Sequence, residues 1–172
     1  MTQPSEGQRT TQEEQRRVLL TVHTGRRDIV DLARTSAARL TAAGIVVRVL
    51  ADEADDLDIP GADVVPADSG AADGAEIVMV FGGDGTFLRA AELAHVTDAA
   101  LMGVNLGRVG FLAETEPEAV EETLVAIEKC EYSVEERLAI EVDVLDGSGT
   151  VVGGTWALNE VSVEKAQRSR VL

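Results

Sequence analysis

A glycine-rich segment, GGDGT at residues 82–86, is the feature that most constrains the fold of this chain. It directly follows the apolar run EIVMVF at 76–81, which has the composition of a strand buried on both faces. It directly precedes residues whose apolar side chains recur at helical spacing. A strand, a glycine turn and a helix in this order predict an α/β protein with the turn at the carboxyl edge of a parallel sheet.

The sequence on either side continues the alternation of strands and helices. Such βαβ units form parallel sheets with right-handed crossovers. We therefore predict the α/β fold class, a Rossmann-like parallel sheet with helices on both faces. The other predicted elements are strands at 18–23, 45–50 and 99–104, a helix at 28–43 that ends at Gly44, and a helix near 116–129.

The segment 51–76 departs from this pattern. It holds nine acidic residues, two prolines and no Lys or Arg. This composition predicts a solvated acidic loop. A metal-binding cluster is the alternative, but the acidic spacing fits no calcium-binding loop.

The last part of the chain predicts a different architecture. Apolar and polar residues alternate over 140–144, and the DGSG segment at 146–149 has turn composition. We predict a disordered tail at 1–16, an α/β domain at 17–137, and the first strands of an incomplete β-rich domain at 138–172. Because so short a hairpin cannot bury a core of its own, we expect the chain to be an amino-terminal piece of a longer protein.

Composition and charge exclude several classes of function. The chain has 172 residues, 45% of them hydrophobic, and a formal net charge of −16. Such acidity argues against nucleic-acid binding and against docking on anionic membranes. No apolar run is long enough to span a bilayer, and we identify no secretory signal. Cys130 is the single cysteine, so a reducing, cytoplasmic location is expected.

The GGDGT segment is a candidate phosphate-binding turn. Its glycines let the backbone approach a ligand closely and adopt positive φ angles, and the following helix presents unpaired N–H groups to an anion. Asp84 would repel a phosphate unless it takes a proton from a hydroxyl nucleophile or shares a metal with the phosphates. The structural alternative is a tight turn in which Asp84 or Thr86 only caps the helix.

Two other segments are candidates for the same site. NLGRVGF at 105–111 directly follows a predicted strand, so its glycines would lie at the same sheet edge, and Phe111 either stacks on a base or fills the core. Asn159 and Glu160 lie within an apolar β segment and need polar partners there. An amide suits a nucleobase and a carboxylate suits a ribose hydroxyl or a metal; both residues could also occupy ordinary exposed strand positions.

Taken in order, GGDGTFLRAA, NLGRVGFLAE and WALNEVSVEK resemble the NAD kinases of bacteria over about residues 17–172. The first motif is shared with diacylglycerol and sphingosine kinases and, in related form, with phosphofructokinases. The resemblance implies transfer of a phosphate from ATP or inorganic polyphosphate to the 2′-hydroxyl of the adenosine ribose of NAD, which gives NADP. It also implies Mg²⁺ as a cofactor, with no direct protein ligand to the metal.

The resemblance also implies residue roles. Asp84 matches the proton acceptor at the hydroxyl, Arg89 a position near the phosphates, and Phe111 an aromatic residue beside the adenine. Arg170 forms a basic cluster with Lys165 and Arg168, which serves either phosphate neutralisation or surface charge. The implied cofactor-binding residues are Gly82, Gly83, Gly85, Thr86, Arg89, Asn105, Gly107, Phe111, Asn159, Glu160 and Arg170.

Members of this family have a β-rich carboxyl-terminal domain with Gly-Asp-Gly and Thr-Gly-Ser-Thr-Ala-Tyr-like segments, and neither occurs in this sequence. That domain would complete the dinucleotide pocket and form a homodimer or homotetramer. We therefore expect little activity from residues 1–172 alone. The alternatives are a lipid or sugar kinase that shares only GGDGT and a non-catalytic nucleotide-binding module.

Overall fold

The computed structural model describes residues 15–105 and 119–163, which belong to two compact units, one ending at Tyr132 and one beginning at Ser133. No helix of the described residues is long and apolar enough to cross a membrane. In chain order, the first unit contains β1 (Arg17–Val22), α1 (Arg27–Ala42), β2 (Val46–Leu50), α2 (Ala54–Leu57), β3 (Asp63–Val65), β4 (Ile77–Gly82), α3 (Asp84–Ala94), β5 (Ala100–Asn105) and α4 (Val120–Lys129), and the second contains β6 (Ala139–Leu145) and β7 (Val151–Leu158).

The first unit is built on a five-stranded parallel sheet with the strand order β3-β2-β1-β4-β5. The connection through α1 runs in one direction from β1, and the connection through α3 runs in the opposite direction from β4. Since such crossovers are generally right-handed, α1 and α3 are expected on opposite faces of the sheet. The predicted Rossmann-like α/β fold class is confirmed.

The core follows from the pleat of β4, in which every residue is buried. Ile77, Met79 and Phe81 belong to one apolar cluster with side chains of α1 and α4. The alternate residues Val78 and Val80 therefore face the other side of the sheet, which α3 covers. A central strand buried on both faces explains the continuous apolar run in the sequence.

Three helices of this unit are followed by left-handed residues, and the one after α2 is Asp58, with φ +40°. Gly44 follows α1 with φ +81°, as its position in the sequence predicts. Cys130 follows α4 with φ +56°, and its N–H donates to the carbonyl of Ile127 at 3.1 Å, while Glu131 N–H donates to Ala126 O at 2.8 Å. This pair of hydrogen bonds is a Schellman motif in which a non-glycine residue occupies the position that glycine favours.

The prediction of a solvated acidic loop over 51–76 is wrong at two short elements, whereas most residues of the segment are exposed. It contains α2 and β3, and β3 extends the sheet as a parallel edge strand beside β2. Leu57, Ala71 and Ala72 are buried in the fold. The acidic residues obscured these elements because both are short and because β3 is an edge strand, where few apolar residues are needed.

Of the predicted tail, residues 1–16, the structure describes the last two. Residues 1–14 lie outside the described residues, but Arg16 makes well-defined contacts. Its Nε donates to Glu76 Oε2 at 2.8 Å, and its terminal nitrogens donate to the carbonyl oxygens of Ile127 and Glu128. Arg16 therefore connects the end of α4 to the residue before β4.

The second unit contains the predicted hairpin. β6 and β7 pair antiparallel, with Ile140 and Val142 less exposed than the acidic Glu141 and Asp143. Asp146 closes the turn: its Oδ1 accepts from the N–H groups of Ser148 at 2.8 Å and Thr150 at 3.0 Å. The Ser148 hydroxyl also donates to Oδ1, at 2.6 Å, and this hydrogen bond, followed by those from the backbone, lowers the pKa of Asp146.

Candidate active site

The site lies where β4 and β5 end. These neighbouring strands stay in register to their last residues, so that Gly82 is paired with Asn105. Gly82, with which GGDGT begins, and Asn105, with which NLGRVGF begins, therefore lie side by side at the carboxyl edge of the sheet, as expected. Gly107 and Phe111 lie outside the described residues.

Asp84 is the first residue of α3, and Gly83 is the N-cap residue. Gly83 is extended, with φ −103° and ψ −168°, and its carbonyl accepts from Phe87 N–H at 3.0 Å. Asp84 is therefore not the N-cap residue, although one structural alternative required it to cap the helix. Its partly exposed carboxylate lies in the first turn, where the helix dipole favours negative charge.

Packing explains why residue 82 is a glycine. A Cβ built at this position would lie 2.5 Å from Thr86 Oγ1 and 2.8 Å from Thr86 Cβ. The expectation of positive φ angles in this turn is wrong, because Gly82, Gly83 and Gly85 are not among the residues with positive φ. The turn stays extended up to the helix start, so its backbone does not need the left-handed region.

Gly83 and Gly85 have a different environment. Both are exposed, and among the described residues nothing lies within 4 Å of a Cβ built at either position, apart from immediate neighbours and the helix backbone. Neither packing nor φ therefore requires glycine there. Without side chains, both leave the backbone at the α3 N-terminus open to close approach by a ligand.

Arg89 extends from α3 to the segment after β2. Its NH1 donates to Glu53 Oε1 at 2.8 Å, and its NH2 donates to Asp52 Oδ2 at 2.6 Å. The side chain of this predicted phosphate-side residue is 38% exposed, and its guanidinium lies between two carboxylates. Its charge is thus partly compensated within the protein.

Glu53 is a residue that sequence analysis missed. It is 3% exposed, and its Oε2 accepts the N–H of Val22, the last residue of β1, at 2.8 Å. Burial raises the pKa of Glu53 to about 7, against the opposing effects of the Val22 hydrogen bond and the Arg89 charge. The one signal in the sequence was an acidic residue shortly after a strand, at the edge where ligands bind.

Asn159 and Glu160 follow β7 instead of lying within it, so their predicted strand setting is wrong. Asn159 has φ +71°, and Glu160 N–H donates to Leu158 O at 3.0 Å, which closes a tight turn at the strand end. Asn is one of the few non-glycine residues that tolerate this conformation. Both side chains are exposed. Lys165, Arg168 and Arg170 lie outside the described residues.

The described residues contain no group of three or more His, Cys, Asp or Glu side chains that could hold a metal ion. The lack of such a group among the described residues does not argue against magnesium binding. Mg²⁺ commonly binds through one or two carboxylates together with substrate phosphates, so a protein cage is not required. The acidic side chains at the sheet edge are of the oxygen-donor type that suits this metal.

A doubly wound parallel sheet, with a glycine turn and a helix N-terminus at its carboxyl edge, defines this chain as a Rossmann-like α/β protein. The family model described as the ATP-NAD kinase N-terminal domain matches the sequence over residues 18–132. The chain belongs to the NAD kinase family.

Close to half of the aligned residues are identical between this chain and its curated relatives. The NAD kinase of Corynebacterium efficiens is 47% identical over 167 residues, which cover 94% of this chain and 52% of the relative. That of Mycobacterium tuberculosis is 48% identical over 169 residues, covering 91% and 55%. The chain thus spans about half the length of these relatives. These comparisons give no support to the lipid-kinase alternative.

A solved structure has the same fold. Yeast NADH kinase complexed with NADH matches with a TM-score of 0.71 at 15% sequence identity, over 85% of this chain and 47% of the yeast chain. At this identity the similarity concerns the fold.

Proposed function

We propose that this chain carries the phosphoryl-transfer part of a NAD kinase site. The reaction transfers the terminal phosphate of ATP or inorganic polyphosphate to the 2′-hydroxyl of the adenosine ribose of NAD and produces NADP. The observation that carries the proposal is the shared edge at which Gly82 and Asn105 end neighbouring strands and Asp84 begins α3. Family membership supports NAD as the acceptor.

Asp84 is the proposed general base. As the 2′-oxygen forms a bond to the terminal phosphorus, its proton passes to the Asp84 carboxylate, and the bond from phosphorus to the leaving phosphate oxygen breaks. The N–H groups of the first turn of α3 stabilise the charge on the transferring group. Open backbone at Gly83 and Gly85 supports this role, because it lets the phosphates approach these donors.

The acidity of the chain makes local neutralisation necessary. With a net charge of −16, the protein repels polyanionic substrates at long range. We assign the opposing positive charge to Arg89 and to magnesium carried on the donor phosphates. When bound, Mg²⁺ would neutralise the phosphate oxygens and align the terminal phosphate for in-line transfer.

The dinucleotide side of the site is assigned to Asn105, Gly107, Phe111, Asn159, Glu160 and Arg170. The exposed Asn159 and Glu160 can accept partners from a ligand or from further protein. Because the relatives are about twice as long as the matched region, we infer that the rest of the pocket and a homodimeric or homotetrameric interface lie in the half that this chain does not match. A cytoplasmic location agrees with NAD and ATP as substrates.

The test is NADP formation by residues 1–172 joined to the part of the Corynebacterium efficiens enzyme that follows the matched region. Asp84→Asn should keep the fold and lower turnover by about 10²–10⁴-fold, as removal of a general base does. Glu92→Gln, an exposed change on the same helix, is the matched control and should leave turnover unchanged.

The alternatives give different results in the same assay. Full turnover by Asp84→Asn would remove Asp84 as the base. Phosphorylation of diacylglycerol without NADP formation would favour a lipid kinase. Binding of NAD with no NADP formation by the unmodified chimera would favour a non-catalytic module. Residues 1–172 alone should show little or no turnover.

A further inference from the structure

Glu53 connects a strand of the sheet to a helix through two separate oxygens. Oε2 accepts from the backbone N–H of Val22 in β1, and Oε1 accepts from the NH1 group of Arg89 in α3, each at 2.8 Å. The carboxylate is 3% exposed. Each donor therefore has its own acceptor atom in a buried setting.

The hydrogen bond from Val22 N–H to Glu53 completes the backbone pairing of β1 at the carboxyl end of the sheet. His23 N–H donates to Phe81 O of β4 at 2.9 Å, so the preceding N–H, that of Val22, points to the other side, towards β2. The register of β1 and β2 would pair this N–H with the carbonyl of Leu50, the last residue of β2, but that carbonyl accepts from Glu53 N–H at 3.0 Å. The Glu53 carboxylate takes the place of the missing main-chain acceptor, which holds it in a defined position.

We propose that Glu53 is a positioning residue for Arg89, and that Arg89 held in this way donates its remaining N–H groups to a phosphate oxygen of the phosphoryl donor. The inference rests on the proposed function. A guanidinium has five N–H donors in a rigid plane, and Asp52 and Glu53 each accept from one terminal nitrogen. The other donors can therefore serve a ligand without release of Glu53.

The location agrees with this role. Val22 is paired with Phe81, the residue directly before Gly82, so the Glu53 carboxylate lies at the strand end next to the glycine turn. Asp84 and Arg89 lie on the same helix. Fixing the guanidinium to the end of β1 therefore also fixes the helix that carries the proposed base.

The two acidic partners of Arg89 differ in exposure, which gives them different roles. Asp52 is 57% exposed, so an incoming phosphate can displace it at little cost. Glu53 is buried and bound to the backbone, so it stays in place. A buried ion pair adds little net stability, and we attribute this one to the orientation of Arg89.

The probe is inorganic tripolyphosphate, with its affinity for residues 1–172 measured by calorimetry at a pH above the pKa of about 7 of Glu53, where this side chain is a carboxylate. Glu53→Gln keeps the shape but has one acceptor oxygen for two donors, so its affinity should fall at least 10-fold. Asp52→Asn is the matched control, because it changes the exposed partner of the same guanidinium, and its affinity should be equal or higher. In an Arg89→Ala background, Glu53→Gln should have no further effect.

A second measurement does not depend on how the variants fold. In the unmodified chain, saturating tripolyphosphate should shift the Arg89 side-chain N–H resonances while the Val22 amide resonance stays unchanged. Unshifted Arg89 resonances, an absence of tripolyphosphate binding, or an equal loss of affinity from Glu53→Gln with and without Arg89 would each overturn the inference. NADP formation by the chimera would still test the proposed function separately.

Discussion

The side chain of Thr86 lies against the Cα of Gly82, four residues earlier in the chain, and leaves no room for a Cβ there. The threonine is in the first turns of α3 and the glycine is the last residue of β4. This contact sets the close approach of the helix start to the strand end. Gly82 therefore serves the packing of the turn, whereas Gly83 and Gly85 do not.

Replacing Gly82 with Ala should destabilise the fold by about 1–3 kcal/mol, the usual range for an overpacked site. The added methyl group would overlap Thr86 Oγ1 and Cβ. Urea denaturation measures the change, and a double-mutant cycle with Thr86→Gly tests its cause. The cost of Gly82→Ala should nearly disappear in the Thr86→Gly background. An undiminished cost there would show that another contact excludes the methyl group.

Gly85→Ala should separate function from stability. Because the new methyl group meets open space inside a helix, stability should stay equal or rise by up to about 1 kcal/mol. The affinity for tripolyphosphate, measured by calorimetry, should fall at least 10-fold, because the methyl group occupies the path of the ligand. Gly147→Ala is the matched control, since Gly147 also faces open space but lies in the hairpin turn. Unchanged affinity in Gly85→Ala would argue against phosphate binding at this turn.

Glu53 should make folding stability depend on pH. Its pKa in the folded chain is raised to about 7, so the folded state holds a proton that the unfolded state has released above its ordinary value near 4.5. The stabilisation is therefore fully present below that value and is lost as the pH rises through about 7, with a slope of at most about 1.4 kcal/mol per pH unit.

Two measurements check this dependence. The difference in unfolding free energy between the unmodified chain and Glu53→Gln should decrease from pH 4.5 to 7. A ¹³C NMR titration of the Glu53 carboxyl carbon should have its midpoint near 7. A midpoint at or below the ordinary value would contradict the effect of burial.

Cys130→Gly should stabilise the chain by about 0.5–1 kcal/mol. Cys130 has φ +56° in the Schellman motif after α4, a conformation that costs energy for a residue with a Cβ. Thermal denaturation measures the gain. Cys130→Ala is the control: it removes the thiol but keeps the Cβ, so it should give no such gain. Equal stabilisation by both variants would point to the thiol as the cause.

The fold of the first unit could be predicted from the sequence because its signals are local. Apolar runs such as 76–81 indicate strands buried on both faces, and Gly44 indicates a helix end. The edge strand β3 could not be predicted in this way. This strand has three residues, and Val64 at its centre is exposed. It therefore has no run of apolar residues typical of a buried strand, and its pairing with β2 stabilises it.

The sequence by itself determined the order of strands and helices, the glycine turn and the family resemblance, since these depend on periodicity and on residues that are adjacent in the chain. Only the tertiary structure decided that Gly82 serves packing, that Arg89 binds two carboxylates, and that Glu53 is buried. Glu53 and Arg89 are 36 positions apart, and their hydrogen bond exists because the ends of β1 and β2 and the helix α3 come together in space. A pattern along the chain records what each residue prefers, whereas the charge, burial and pKa of a side chain depend on neighbours that folding brings close.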